Sequence, residues 1–335
     1  MNITDLQTPA LVVDADAFDH NLAVMAGARP GLALRPHVKA HKCTALARRQ
    51  VQAGHSGFTC ATIAEAEGMA LAGMGADLLV ANEVANARRL GALTEAGHSV
   101  ILAVDSDATI DAAAEGGVTQ VLVDVNVGLP RCGCDPADAG RLADRARSKG
   151  LDVRGVMGYE GHVVGVEDRD RRVAELAPCM EKLVQAHDLA GGDIISAGGT
   201  GTYDINTWAS EIQAGSYALM DNAYDKLNLP FRQALSIVAT IISVSPEWMV
   251  ADCGLKAMGM DHGNPTVEGG TVWFCSDEHL TFSPDPQAGD SSLKVGSRVR
   301  VFPGHVDPTV AYHERMHLVR DGEVIEVWPV DLRGW

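Results

Sequence analysis

Basic residues are scarce in this chain of 335 residues. Lysine and arginine together number 27 against 44 aspartates and glutamates, for a net charge of −17 and an isoelectric point near 5.0. Such a surface repels nucleic acid and anionic membranes, so neither is an expected partner. Long apolar runs are also missing. No stretch reaches the ~20 apolar residues that a membrane-spanning helix needs. The opening MNITDLQTPALVVDADAF lacks a basic segment followed by an apolar one, so no secretory signal is expected. The seven cysteines are an odd number and are expected to be reduced thiols of a cytoplasmic protein. Cys132-Gly133-Cys134 is spaced too tightly for a two-cysteine zinc knuckle. What remains is 46% hydrophobic with a mean hydropathy of +0.02, enough for a large buried core in one or two domains.

Over the first two-thirds, strand-like and helix-like segments alternate. Eight short β-type runs occur, at 31–38, 57–62, 76–81, 99–105, 120–127, 152–159, 194–197 and 211–219. Helical patterns separate most of them, among them 44–51, the Ala-rich 62–74 and the periodic 168–190. A βα unit repeated eight times predicts a (β/α)8 TIM-type barrel. From about Gln233 the helical period gives way to alternating stretches at 236–244, 248–251, 271–274, 297–302, 316–320 and 323–327. Gly/Pro/Asp clusters at 261–265, 268–270 and 283–290 divide them. The expected architecture is therefore a barrel over 16–232 followed by a C-terminal all-β domain. Residues 1–15 join 233–335 in that domain, through the strand-like Ala10-Leu11-Val12-Val13.

In such a barrel the chemistry lies at the C-terminal ends of the strands. The first strand ends in RPHVKAHK, which sets Lys39 between His37 and His41. Lysine is the side chain that holds a carbonyl cofactor as a Schiff base. The seventh strand runs into Gly198-Gly199-Thr200-Gly201-Thr202, and the eighth into Gly215-Ser216. Glycines let backbone N–H groups approach an anion, and barrels often bind phosphate at these two loops. An amine on the first strand and a phosphate cup on the last two imply pyridoxal 5′-phosphate (PLP), an electron sink. The cup is assigned to Gly199, Thr200, Gly201, Thr202, Gly215 and Ser216. Arg131 is a candidate partner for the phenolate oxygen of the cofactor, and Tyr159 a candidate neighbour of its ring.

A second constellation is PGHVDPT, with His305 and Asp307. If the segment is extended, alternation puts both side chains on one face. Imidazole with carboxylate suits Mn²⁺, Mg²⁺ or Zn²⁺, whereas a structural His–Asp hydrogen bond explains the same spacing.

Taken together, RPHVKAHK, GYEGH (158–162), AGGTGT, AGSYALMD (214–221), DCGLKAMGMD (252–261), SDEHL (276–280) and PGHVDPT resemble the D-threonine aldolase / D-serine dehydratase family. These are fold-type III PLP enzymes with an alanine racemase-like architecture. The resemblance runs in family order over nearly the whole chain. It implies that Lys39 is the Schiff-base lysine and that His305 and Asp307 bind a divalent metal beside the substrate. It also implies a homodimer. Dehydratases of the family resemble a His-x-Cys pattern with zinc, and aldolases a His-x-Asp pattern with manganese or a similar ion. The expected activity is cleavage of a D-3-hydroxy amino acid to glycine and an aldehyde, with a metal-bound hydroxide or a nearby histidine, His162 first, as candidate base for the hydroxyl proton. The alternatives are a D-serine or 3-hydroxy-D-aspartate dehydratase, an amino-acid racemase, and a non-catalytic PLP-binding protein.

Overall fold

The computed structural model describes residues 1–285 and 293–335, so positions 286–290 of the predicted divider at 283–290 lie outside the described residues. The chain forms two compact units. One comprises Met25–Lys39, Ala47–Gly215 and Leu332–Trp335, and the other Met1–Val24, Ala40–Leu46 and Ser216–Asp331.

The first unit is built on seven parallel strands paired in chain order: Phe58–Cys60, Leu78–Val80, Val100–Val104, Gln120–Asp124, Asp152–Gly158, Ile194–Ala197 and Glu211–Ile212. Val100–Val104 is buried at every position, the pattern of a parallel strand covered on both faces. Leu79, Ile101, Ala103, Leu122, Met157 and Ile194 form one core cluster. An eighth segment, residues 34–37, closes the ring. Arg35 and His37 donate to Ile212 O and Ala214 O at 2.9 and 3.1 Å, and Thr59 donates to Pro36 O at 2.9 Å. The observed segment is thus shorter than the expected strand 31–38. 3-10 turns at Gly31–Ala33 and Val38–Ala40 trim it, and Pro36 lacks the N–H a ladder needs. The last strand likewise stops at Ile212 rather than 219, and Ser216–Ala218 is a 3-10 turn. Helices fill the intervals, Ile63–Leu71 capped by Thr62 and Arg169–Ala190 capped by Asp168.

Arg35 is buried in this unit. It is held at 2.8 Å by both Asp77 and Glu211, and Ser196 donates to Glu211 at 2.6 Å. Both carboxylates hold its pKa above the ordinary arginine value, against the opposing effect of burial. Arg35→Ala would strand two carboxylates. It is expected to cost about 3–5 kcal/mol of stability, read as a fall in denaturant midpoint.

Among the described residues the second unit carries nine strands. Their order is Met249–Ala251, Leu280–Pro284, Gly270–Cys275, Thr266–Val267, Arg298–Phe302, Leu235–Val244, Ala10–Asp14, Arg315–Arg320 and Glu323–Pro329. Met249–Ala251 also pairs with Leu235–Val244, which closes the first six into a ring. Ala10–Asp14 pairs antiparallel with Leu235–Val244 and parallel with Arg315–Arg320, as its strand-like opening predicts. The strands Thr266–Val267 and Leu280–Pro284 and the helix Val306–Tyr312 were not expected from the sequence. Among the described residues no disulfide joins the cysteines, and no helix is long and apolar enough to cross a membrane.

Candidate active site

At the C-terminal end of the barrel strands, Lys39 sits half-buried in the turn Val38–Ala40. The segment that closes the ring therefore leads into Lys39 at the end where this fold does chemistry. Its backbone N–H points to His37 Nδ1 at 3.4 Å.

The loop after Ile194–Ala197 is anchored from beneath by Glu160, which is fully buried. Glu160 Oε2 accepts from Gly198 N–H at 3.2 Å, and Oε1 accepts from the Thr202 hydroxyl at 2.7 Å. Thr202 Oγ1 in turn accepts from Gly199 N–H at 3.2 Å. So the Gly199 N–H and the Thr202 hydroxyl, which the sequence reading turned toward an anion, are engaged inside the loop. Thr200, buried, and Gly201 form the turn between these anchors. Gly198 has φ +83°, and a Cβ there would meet Ile212 at 2.9 Å, so only glycine fits. Burial pushes the Glu160 pKa up, and its hydrogen bonds pull it back. Glu160→Ala would leave a buried hydroxyl and N–H without acceptors, each worth about 1–3 kcal/mol. The expected outcome is an apoprotein whose affinity for added PLP falls at least about tenfold, measured by absorbance titration. Glu160 lies within the quoted GYEGH, but its loop-anchoring role was missed.

Arg131 lies over the Tyr159 ring, with its guanidinium carbon 5.4 Å from the centroid. Both line a small cavity with Asp124, Asn126 and Cys132. His162 is exposed. Its Nε2 lies 3.6 Å from Cys179 Sγ, so a base role would fall to Nδ1.

The sequence reading also passed over Asp124, the buried last residue of its strand. Burial pushes its pKa well above the carboxylate range. Glu83, hydrogen-bonded to it, pushes the same way, and Arg131 opposes. The folded state therefore binds the Asp124 proton more tightly than the unfolded chain. Stability falls as pH rises from the ordinary Asp value of about 3.9 toward the raised one. Asp124→Asn should flatten this decline, so that its melting temperature gains on the wild type as pH increases. Parallel curves would contradict the raised Asp124 pKa.

In the second unit, His305 and Asp307 are not on an extended segment. His305 is the N-cap of the helix Val306–Tyr312, itself extended at φ −144°, and Asp307 lies in the first turn. A carboxylate suits that turn, and Pro308 is tolerated there because the N–H it lacks would have no helical partner. The side chains still meet: Nε2 of His305 is 3.6 Å from Oδ2 of Asp307. Two bonds of about 2.1 Å to one divalent ion set ligand atoms roughly 3.0–3.5 Å apart, a span that the 3.6 Å separation slightly exceeds, while imidazole and carboxylate are a donor set suited to such an ion. Ser216, assigned to the phosphate cup from sequence, directs its hydroxyl to Asp307 Oδ2 at 3.5 Å, and Gly215 precedes it. Asp261 Oδ2 lies 2.8 Å from His305 Nδ1, and His262 stacks on the same ring. Burial lowers the His305 pKa, but Asp307 and Asp261 more than offset it and hold the imidazole above its ordinary value.

Residues 13–222 match the model of the alanine racemase N-terminal domain, and 234–319 that of a putative serine dehydratase domain. D-threonine aldolase of an Arthrobacter species is 33% identical, covering 98% of this chain and 93% of its own. The 3-hydroxy-D-aspartate aldolase of Paracoccus denitrificans (strain Pd 1222) is 34% identical over 100% of this chain and 94% of its own. Among solved structures, D-threonine aldolase from Filomicrobium marinum superposes with a TM-score of 0.91 at 33% identity, covering 98% of this chain and 96% of that one. D-threo-3-hydroxyaspartate dehydratase from Delftia sp. HT23 gives 0.88 at 26% identity over the whole of both chains. Structures of D-threo-3-hydroxyaspartate dehydratase with a histidine changed to alanine and, metal-free, with a cysteine changed to alanine superpose with TM-scores of 0.90 and 0.89.

Proposed function

The chain belongs to the D-threonine aldolase / D-serine dehydratase family of D-3-hydroxy amino acid lyases, and we propose that it is the aldolase type. It cleaves a D-3-hydroxy amino acid to glycine and an aldehyde, with PLP and a divalent ion, Mn²⁺ first. The observation that carries this reading is the contact between His305 and Asp307, a carboxylate where the dehydratase pattern has a thiolate. In the PLP site the donor set fits a dianionic phosphate and a phenolate: the Lys39 amine, the Arg131 guanidinium and a glycine loop held by Glu160.

When bound, PLP takes up the electron pair released at Cα, and the metal lowers the pKa of the substrate's 3-hydroxyl. Lys39 would hold the cofactor through Nζ. Thr200 and Gly201 offer backbone N–H groups to the phosphate, together with Gly215 and Ser216. Arg131 would neutralise the cofactor's phenolate, and Tyr159 would pack near its ring. His305 and Asp307 would hold the ion. His162 would accept the hydroxyl proton through Nδ1 as the Cα–Cβ bond breaks and the aldehyde leaves, and return of that proton to Cα would complete glycine. A homodimer is part of the proposal, to be read by light scattering.

The second reading is dehydration, favoured by the full-length likeness to the Delftia dehydratase. There a base takes the Cα proton and hydroxide departs. Product analysis with D-threonine separates the two. Glycine and acetaldehyde support the aldolase. 2-Oxobutanoate and ammonia would replace it with the dehydratase.

A further inference from the structure

We propose that Asp261 is a positioning residue that fixes the His305 ring with Nε2 toward Asp307, acting on the metal through the imidazole rather than as a ligand. This rests on the metal site of the proposed function. Asp261 Oδ2 is 2.8 Å from Nδ1 on one side of the ring, and Asp307 Oδ2 is 3.6 Å from Nε2 on the other. An imidazole that donates Nδ1–H to a carboxylate keeps its Nε2 lone pair for an ion, the usual second contact of a ligating histidine.

The scaffold beneath is fixed. Gly259 and His305 form an antiparallel bridge. The Thr309 hydroxyl donates to His305 O at 2.6 Å and accepts from Gly259 N–H at 2.9 Å. A Cβ on Gly304 would sit 2.0 Å from Gly263 O, so the segment carrying Asp261 and the one carrying His305 touch backbone to backbone.

Proximity alone would make Asp261, His262 and His305 a three-ligand ion site. The ring geometry argues against it. His262 and His305 stack with centroids 3.7 Å apart and planes inclined by 15°. Imidazole lone pairs lie in the ring plane, so two nearly parallel rings cannot both aim at one ion. Nδ1 of His305 is already taken by Asp261. Because the Asp261 side chain is 58% exposed, its effect belongs at the lower end for such partners.

The test is Mn²⁺ binding to the PLP-loaded protein, read from the free-ion electron paramagnetic resonance signal. Asp261→Ala is expected to weaken binding about tenfold. Asp261→Asn should recover part of that, because its amide oxygen still accepts from Nδ1–H, and His262→Ala should stay within about twofold. Nitrogen NMR of the metal-free protein, above the pH where His305 titrates, should show the Nδ1–H tautomer in the wild type and a mixture in Asp261→Ala. Equal Mn²⁺ affinity in wild type and Asp261→Ala would overturn the positioning role and leave the metal site standing. Loss of binding as complete as in Asp307→Ala, in both Asp261 variants, would make Asp261 a ligand and overturn it too. A wild type that binds no Mn²⁺ would bring down the metal site itself.

Discussion

Lys39→Ala is expected to yield a folded, colourless protein with no turnover. The amine at the end of the ring-closing segment is the group assigned to anchor PLP, and no second lysine is assigned to that role. Catalytic units of this kind fail together when one member is removed, so kcat/KM should fall by about 10⁴-fold or more. Borohydride reduction should trap cofactor on the wild type and none on the variant. Peptide mapping of the reduced wild type should find the adduct on Lys39, and an adduct elsewhere would move the catalytic centre.

The second large effect is that of Asp307→Ala. His305 alone is a weak site for a hard or borderline ion, and without the carboxylate the metal should be lost while PLP stays bound. Metal assistance at a substrate oxygen is worth several kcal/mol, so activity should drop about 10²–10³-fold. Full activity of this variant in chelator would remove the metal from the mechanism.

Much of the architecture was legible because a parallel sheet reads as short, wholly apolar runs. Ile194–Ala197 matches its predicted bounds, and Val100–Val104 lies inside its own. The ring-closing segment was harder. Its apolar run begins at Gly31, but turns on either side and Pro36 leave only residues 34–37 to bond across the ring. The helix Val306–Tyr312 was read as extended because seven residues are too few to display a helical period, and Pro308 argues for a loop unless it falls in a first turn.

The candidate site was legible where spacing along the chain carries the signal. Lys39 between two histidines, the glycine-threonine loop and His-x-Asp are local patterns. Glu160 was missed because its role is set by residues 38 and 42 positions away. Asp124 was missed because its partner Glu83 follows a different strand, and Asp261 because its partner is 44 residues on. Long-range hydrogen bonds of this sort leave no period in a sequence. A carboxylate ending an otherwise buried strand, as at Asp124, is the one sign that could have been read.

The most direct test of the account is glycine formation from D-threonine by protein stripped with chelator, followed after Mn²⁺ is restored. The account predicts almost no glycine from the stripped protein, and recovery of glycine and acetaldehyde in equal amounts on adding Mn²⁺. Equal glycine release with and without the ion would contradict the role given to His305 and Asp307.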